Sequence, residues 1–506
     1  DVCSSDLKKH IKQEKMQSII AKLIEENKIL KAEINDLKSK TKINPDQTKN
    51  STFIESSFFL AIDRLLGNKK ERLNNEAMTF LHESSINGNS IATYLIGILY
   101  ENGKGINQDF NKAIEYYEKA LEQGNSYGIN RLGFCYDMGY GVTQNYTKAL
   151  EYYHQGEKLN NPLSISNIGN FYITGTNVTK NVSKAIEYYS KSAEEGFPNS
   201  YLTIAHIYIG GKEVKQDYKK AFEYIQKAAN KGVLYAYTDL GCSYAKGNGC
   251  KKDFNKALEL FTKALELGYK HAYVYIGLLY DDTFGFTPDY NNANKYYQIA
   301  ADYEYSDAFY NLGNNYEYGK GFDQDIINAL EYYEKAGKLG LGQSYHQIGM
   351  IYNNGEKIKQ NYDKANEYFQ KAADLKYYDS IYMIAYNYEK GNGFKQDYYK
   401  AFELYNKSAD FGVKQSICQV GMLYQLGYGV RQSYYKANEY FQKAANLGVP
   451  VAYYNLAFNY ASGYGVKKDY KKAIELYKKA AELGYDDAYH KISDLYNKIK
   501  GLKKDL

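Results

Sequence analysis

Along residues 90–125, SIATYLIGILYENGKGINQDFNKAIEYYEKALEQGN, the apolar and polar positions describe two amphipathic helices joined by a short polar turn. Ala92, Ile96 and Tyr100 fall at i, i+4 and i+8, one face of a first helix, with Leu99 beside them. The run ENGKGINQ carries glycines that can take positive φ and stop that helix. Asp109 is placed to cap a second helix, its carboxylate accepting from an otherwise orphaned backbone N–H. Ala113, Tyr116, Tyr117, Ala120 and Leu121 form the apolar stripe of this second helix. Glu115 and Lys119 make an i, i+4 pair on its polar side.

The pattern returns every 36 residues without a gained or lost position. Lys112-Ala113 comes back as Lys148-Ala149, Lys184-Ala185 and so on to Lys472-Ala473, and a tyrosine keeps the same beat from Tyr100 to Tyr496. The place of Ala92 holds only Gly, Ala or Ser, that of Ile96 only Leu, Ile or Val, and that of Gly97 only Gly, Ala or Ser. Small residues let helix backbones approach, and the aliphatic and the recurrent tyrosine are expected to fill the gap between them. Length alone would suggest several globular domains. The period overrules that: a pair of short helices cannot bury its apolar faces alone, so the pattern predicts stacked units. The expected fold is all-α, a right-handed α-solenoid of about twelve 36-residue helix-turn-helix repeats, preceded by a short coiled coil.

These residues resemble the Sel-1-like repeat family, relatives of the tetratricopeptide repeats. The shared pattern is read as AYVYIGLLYDD from Ala272 and YASGYGVKKDYKKAIELYKKAAELG from Tyr460. The resemblance runs from about residue 90 to 500, with a degenerate unit before it in which Arg64 stands where the tyrosine should be. The expected organisation is a coiled-coil helix at 1–40, a polar linker at 41–54, a degenerate capping repeat at 55–89, eleven repeats at 90–485, and a C-terminal capping helix with a basic tail at 486–506. The resemblance implies a non-catalytic scaffold or adaptor whose first helices line a concave, partner-binding groove. Two alternatives stay open: the C-terminal region of a larger signalling enzyme such as a protein kinase, and an adaptor in endoplasmic-reticulum quality control. The first gains from a chain that does not begin with Met; the second would need a signal peptide and an anchor that the sequence does not display.

The N-terminal heptad is specific enough to read by itself. In IIAKLIEENKILKAEINDLKSK, Ile20, Asn27 and Ile34 occupy a positions and Leu23, Leu30 and Leu37 occupy d positions. Ile at a with Leu at d favours a parallel pair, and a buried Asn at a fixes register, so a homodimer through residues 16–40 is expected.

Composition adds mainly exclusions. The formal charge of +5 over 506 residues is spread along the repeats, and no basic block interleaves with a stacking platform, so no nucleic-acid partner is expected. No run of about eighteen apolar residues occurs, so no membrane insertion is expected. The five cysteines share no repeat position, although Cys242 and Cys250 lie close enough to pair. Their scatter suits a reducing, cytoplasmic compartment. The seven histidines lack metal-ligand spacing, the GKG and GNG loops lack the order of a phosphate-binding loop, and the acidic residues read as caps and surface pairs. No enzyme, cofactor or metal site is expected; the partners are proteins or peptides.

Their seat is expected on the wall of the first helix opposite its core stripe. Reading that wall along the chain gives Tyr94, Asn130, Phe134, Asn170, His206, Tyr310, Asn314, His346, Tyr382, Tyr386, Tyr454 and Phe458. These positions vary between repeats while their neighbours hold still. They are also rich in aromatics and amides, which suit contact with a peptide.

Overall fold

The computed structural model describes residues 75–103 and 106–502. The heptad residues Ile20, Leu23, Asn27, Leu30, Ile34 and Leu37 lie outside them. The described residues form 24 helices and no strand, arranged in two compact units, residues 75–269 and residues 270–502. The first unit opens with helix Asn75–Ile86 and continues with five helix pairs, from Ser90–Asn102 with Phe110–Glu122 to Leu234–Lys246 with Phe254–Glu266. The second contains six pairs, from Ala272–Tyr280 with Tyr290–Asp302 to Pro450–Ser462 with Tyr470–Glu482, and closes with helix Asp487–Leu502. Within each unit a helix packs chiefly on the helices before and after it in sequence, as an α-solenoid requires.

The helix boundaries follow from the repeat's own residues. Each second helix is capped by an Asp, Asn or Ser side chain that accepts from a backbone amide of the first turn; Asp109, for example, accepts from the amide of Lys112 at 3.0 Å. First helices end at a glycine in the left-handed region, such as Gly139 at φ 73°. The exception is Ala272–Tyr280, where Thr283 stands in the glycine's place. There the helix stops early and Asp281 takes extended backbone. A second closure holds the turn: in all eleven pairs the cap residue's amide donates to the carbonyl of the recurrent tyrosine, as from Asp109 to Tyr100 at 2.9 Å.

The core differs in one respect from the expectation. The fully buried rings come from the second helix: Tyr117, Tyr153, Tyr189, Phe261, Tyr297, Tyr333, Phe369, Tyr405, Phe441 and Tyr477. The small residue at the place of Gly97 makes room for them. A Cβ on Gly133 would lie 2.7 Å from the Tyr153 ring, and one on Gly349 would lie 2.6 Å from Phe369. That place also accepts alanine, with Ala205 facing the smaller Ile225 and Ala385 and Ala457 facing Tyr405 and Tyr477. From Tyr100 to Tyr460 the recurrent tyrosines are only half-buried. Tyr100 stacks on Tyr116 at 5.7 Å, Tyr172 on Tyr188 at 5.5 Å and Tyr280 on Tyr296 at 5.8 Å. The lysine of the recurrent Lys-Ala pair often covers the outer face, as Lys148 does over Tyr136 at 4.2 Å. This tyrosine therefore braces the turn and the second helix's flank instead of filling the centre.

Candidate functional site

In the first unit, the expected contact positions fall into two groups. Tyr94 and Asn130 are buried, at 4% and 6% exposure. Tyr94 packs against Tyr117 and Tyr127, and the Asn130 oxygen accepts from Asn167 at 3.0 Å. Phe134 is half-buried under the Arg131 guanidinium, while Asn170 and His206 are exposed. Asn170 accepts from the Tyr189 hydroxyl at 2.8 Å. His206 faces Asp239 at 3.6 Å, and this carboxylate raises the imidazole pKa.

In the second unit, Tyr310, Asn314, His346, Tyr382, Tyr386 and Tyr454 are all half-buried and Phe458 is exposed. These side chains lie on first helices, and two of them reach the next repeat. The Tyr310 hydroxyl accepts from Gln343 at 2.9 Å, and His346 shares a 2.8 Å hydrogen bond with Ser380. Tyr382 packs on Tyr405 at 5.5 Å and Tyr454 on Tyr485 at 4.9 Å. Burial pushes the His346 imidazole down to about 4, so it is neutral near neutral pH. Burial also raises the phenols of Tyr310 and Tyr382, further from ionisation. The surface is therefore a row of neutral, half-anchored aromatic and amide groups.

Two sets of polar residues escaped the sequence reading. Acidic residues were expected to be caps and surface pairs, yet Glu101, Asp281 and Glu317 are buried. Each accepts from the hydroxyl of a core tyrosine: Glu101 from Tyr117, Asp281 from Tyr297, and Glu317 from Tyr333 at 2.7 Å. Cations complete two of these sites, Arg131 at 3.6 Å from Glu101 and Lys357 at 2.8 Å from Glu317. The signal was present in the sequence, since the acid stands one residue after the recurrent tyrosine and sixteen before the core tyrosine.

The second set is a buried asparagine ladder in the second unit. The Asn315 amide donates to Asn294, Asn387 to Asn366 and Asn459 to Asn438, each at 2.7 Å. Asn294, Asn366 and Asn438 in turn donate to the carbonyls of Lys320, Asn392 and Tyr464. All six are buried, and the pairs recur every 72 residues, in alternate repeats. The intervening repeats carry apolar pairs at the same places, Leu330 with Ile351 and Phe402 with Leu423.

Other chemistry is sparse. Cys135, Cys242, Cys250 and Cys418 are free thiols; Cys250 donates weakly to the Ser243 carbonyl instead of pairing with Cys242. Burial pushes the Cys135, Cys242 and Cys418 thiols up to about 12, far from nucleophilic. Among the described residues no group of three or more His, Cys, Asp or Glu side chains could hold a metal ion. Among the same residues no helix is long and apolar enough to cross a membrane.

A comparison with curated proteins found no match. Among solved structures, a protective antigen of uropathogenic Escherichia coli displaying an SLR fold is 24% identical, covering 83% of this chain and 90% of its own, with a TM-score of 0.45. A Sel1 repeat protein from Oxalobacter formigenes is 26% identical, covering 61% of this chain and 90% of its own, with a TM-score of 0.46. The Sel1 repeat itself matches eleven times, at residues 90–125, 126–161, 162–197, 203–233, 234–269, 270–302, 306–341, 342–377, 379–412, 414–449 and 450–485. With these tandem matches spanning most of its length, the chain belongs to the Sel1 repeat family.

Proposed function

We propose that this protein is a non-catalytic scaffold or adaptor that holds protein or peptide partners on the first-helix face of its repeats, the face expected to be concave. The Sel1 repeat solenoid is a protein-interaction fold, and proteins built from it are generally non-catalytic. The observation that carries the reading is the contrast within each first helix. Leu312, Ile348, Ile384 and Leu456 form a buried, interchangeable aliphatic row. Two residues further on, Asn314, Met350, Tyr386 and Phe458 differ in kind and keep solvent exposure. So do Tyr310, His346, Tyr382 and Tyr454, which neighbouring side chains hold in place. Variation at these accessible positions of the second unit, beside a constant buried row, suits a surface of specific contacts. The proposal includes dimerisation through residues 16–40 and a cytoplasmic setting, the latter supported by free, scattered cysteines.

The test is affinity capture from a cell extract, comparing the chain with a variant carrying Tyr310→Ala, Asn314→Ala, Tyr382→Ala and Tyr386→Ala. A partner retained by the parent and lost by a variant of unchanged helicity is the expected result. Equal capture by both would remove the first-helix face from the account.

A further inference from the structure

The turns between first and second helices lie along one edge of the second unit, and their charge changes steadily along it. The formal charge is −1 at residues 283–292 and again at 319–328. It is +1 at 355–364 and at 391–400, +2 at 427–436, and +3 at 463–472. The last three turns hold eight basic side chains against two carboxylates, Asp397 and Asp469, both already engaged as helix caps; of the eight, Lys400 pairs with Glu403 at 2.9 Å and Lys472 with Glu475 at 3.5 Å. Helices Tyr398–Asp410, Tyr434–Asn446 and Tyr470–Glu482 all begin at this edge, so the partial positive ends of their dipoles add to the same field.

The same edge exposes aromatic surface. Tyr399 and Tyr435 are 71% and 66% exposed, among the most exposed large side chains in the unit. Tyr398 packs on Tyr428 of the next turn at 4.6 Å, and Tyr434 stacks on Tyr464 at 4.7 Å. Each turn is thereby pressed against the helix start before it, and the edge is continuous across the three repeats. At its end, the Lys468 and Lys498 ammonium groups lie 5.4 and 5.7 Å from the Tyr470 ring. The hydrogen bond from Lys468, with the charge of Lys498, holds the Tyr470 phenol below the ordinary tyrosine range, as expected in a positive field.

We propose that this edge, residues 391–472, docks an acidic polypeptide segment of a partner protein. Carboxylates would meet the basic side chains and accept from phenol hydroxyls, while the segment's apolar parts lie on the exposed tyrosine rings. A single-stranded nucleic acid fits less well. Its bases need a run of free ring faces, whereas Tyr398, Tyr428, Tyr434 and Tyr464 are packed against one another in pairs, each ring giving one face to its partner. This surface is separate from the first-helix positions proposed above and does not depend on them.

The experiment is a fluorescence-anisotropy titration of the full chain with a labelled oligoglutamate peptide at low ionic strength, with a labelled oligothymidylate as second probe. Oligoglutamate should bind, and added salt should weaken it. Arg431→Glu, Lys467→Glu and Lys471→Glu together should weaken it by about tenfold or more, the scale expected for reversing several charge contacts. The charge-matched control is Lys215→Glu, Lys219→Glu and Lys251→Glu, at first-unit turns where Lys219 and Asn255 stand in the places of Tyr399 and Tyr435. It should change binding less than about twofold. Tyr399→Ser with Tyr435→Ser should also weaken binding, without altering its salt dependence. Three results would each overturn the proposal: no binding at low salt, equal weakening by the edge and control variants, or tighter binding of oligothymidylate.

Discussion

Asn366 and Asn387 show how much a single buried pair constrains its repeat. The Asn387 amide donates to Asn366 at 2.7 Å, and Asn366 donates onward to the Asn392 carbonyl at 3.0 Å. Replacing one member strands the other's polar atoms in a dry interior, which costs about 1–3 kcal/mol. Asn387→Leu alone is therefore expected to lower stability by that amount in urea unfolding. Asn366→Leu with Asn387→Leu copies the apolar pairs of the adjacent repeats and should recover about half of the loss or more. A double variant as damaged as the sum of the singles would mean that the asparagines act independently. The pairing was not legible at the 36-residue period, because a polar residue in alternate repeats looks like scatter on a surface. Its true period is 72 residues. Tyr94 and Asn130 illustrate the converse. Their variability was readable, but their burial was not, because a first helix touches its own second helix and the neighbouring repeats together.

At the scale of the element, the sequence was nearly sufficient. Caps, glycine stops and the order of helices follow from residues such as Asp109, Gly139 and Gly124, whose chemistry is local. The division of labour between two tyrosines was not readable. Tyr116 and Tyr117 are adjacent and alike in sequence, yet only Tyr117 is fully buried while Tyr116 supports the half-buried Tyr100. Their separation depends on how close the first helix comes, which Gly97 permits. The heptad at the N-terminus is the element whose role is argued from sequence alone. Asn27 at an a position is proposed to hold a parallel dimer in register. Asn27→Leu should raise thermal stability of the oligomer and broaden its composition, giving species larger than a dimer in sedimentation equilibrium. A strictly dimeric mass for the variant, or a monomeric mass for the parent, would contradict that role.

At the scale of the whole molecule, the repeat divides its labour among surfaces. The buried rows of small and aliphatic residues, the core aromatic rings and the braced turns are shared by nearly every repeat and hold each unit together through neighbouring contacts. Apart from the buried asparagine pairs and acids, much of what differs between repeats of the second unit lies on the first-helix wall and on the turn edge. These are the surfaces on which partner contact is proposed. The measurement that tests this most directly is hydrogen–deuterium exchange on the full chain, with and without a captured partner. The account predicts new protection concentrated in the first helices of the second unit, in peptides covering 306–318, 342–354 and 379–390, with the intervening second helices unchanged. Protection confined to second helices such as 326–338 and 362–374, with the first helices unaffected, would contradict it.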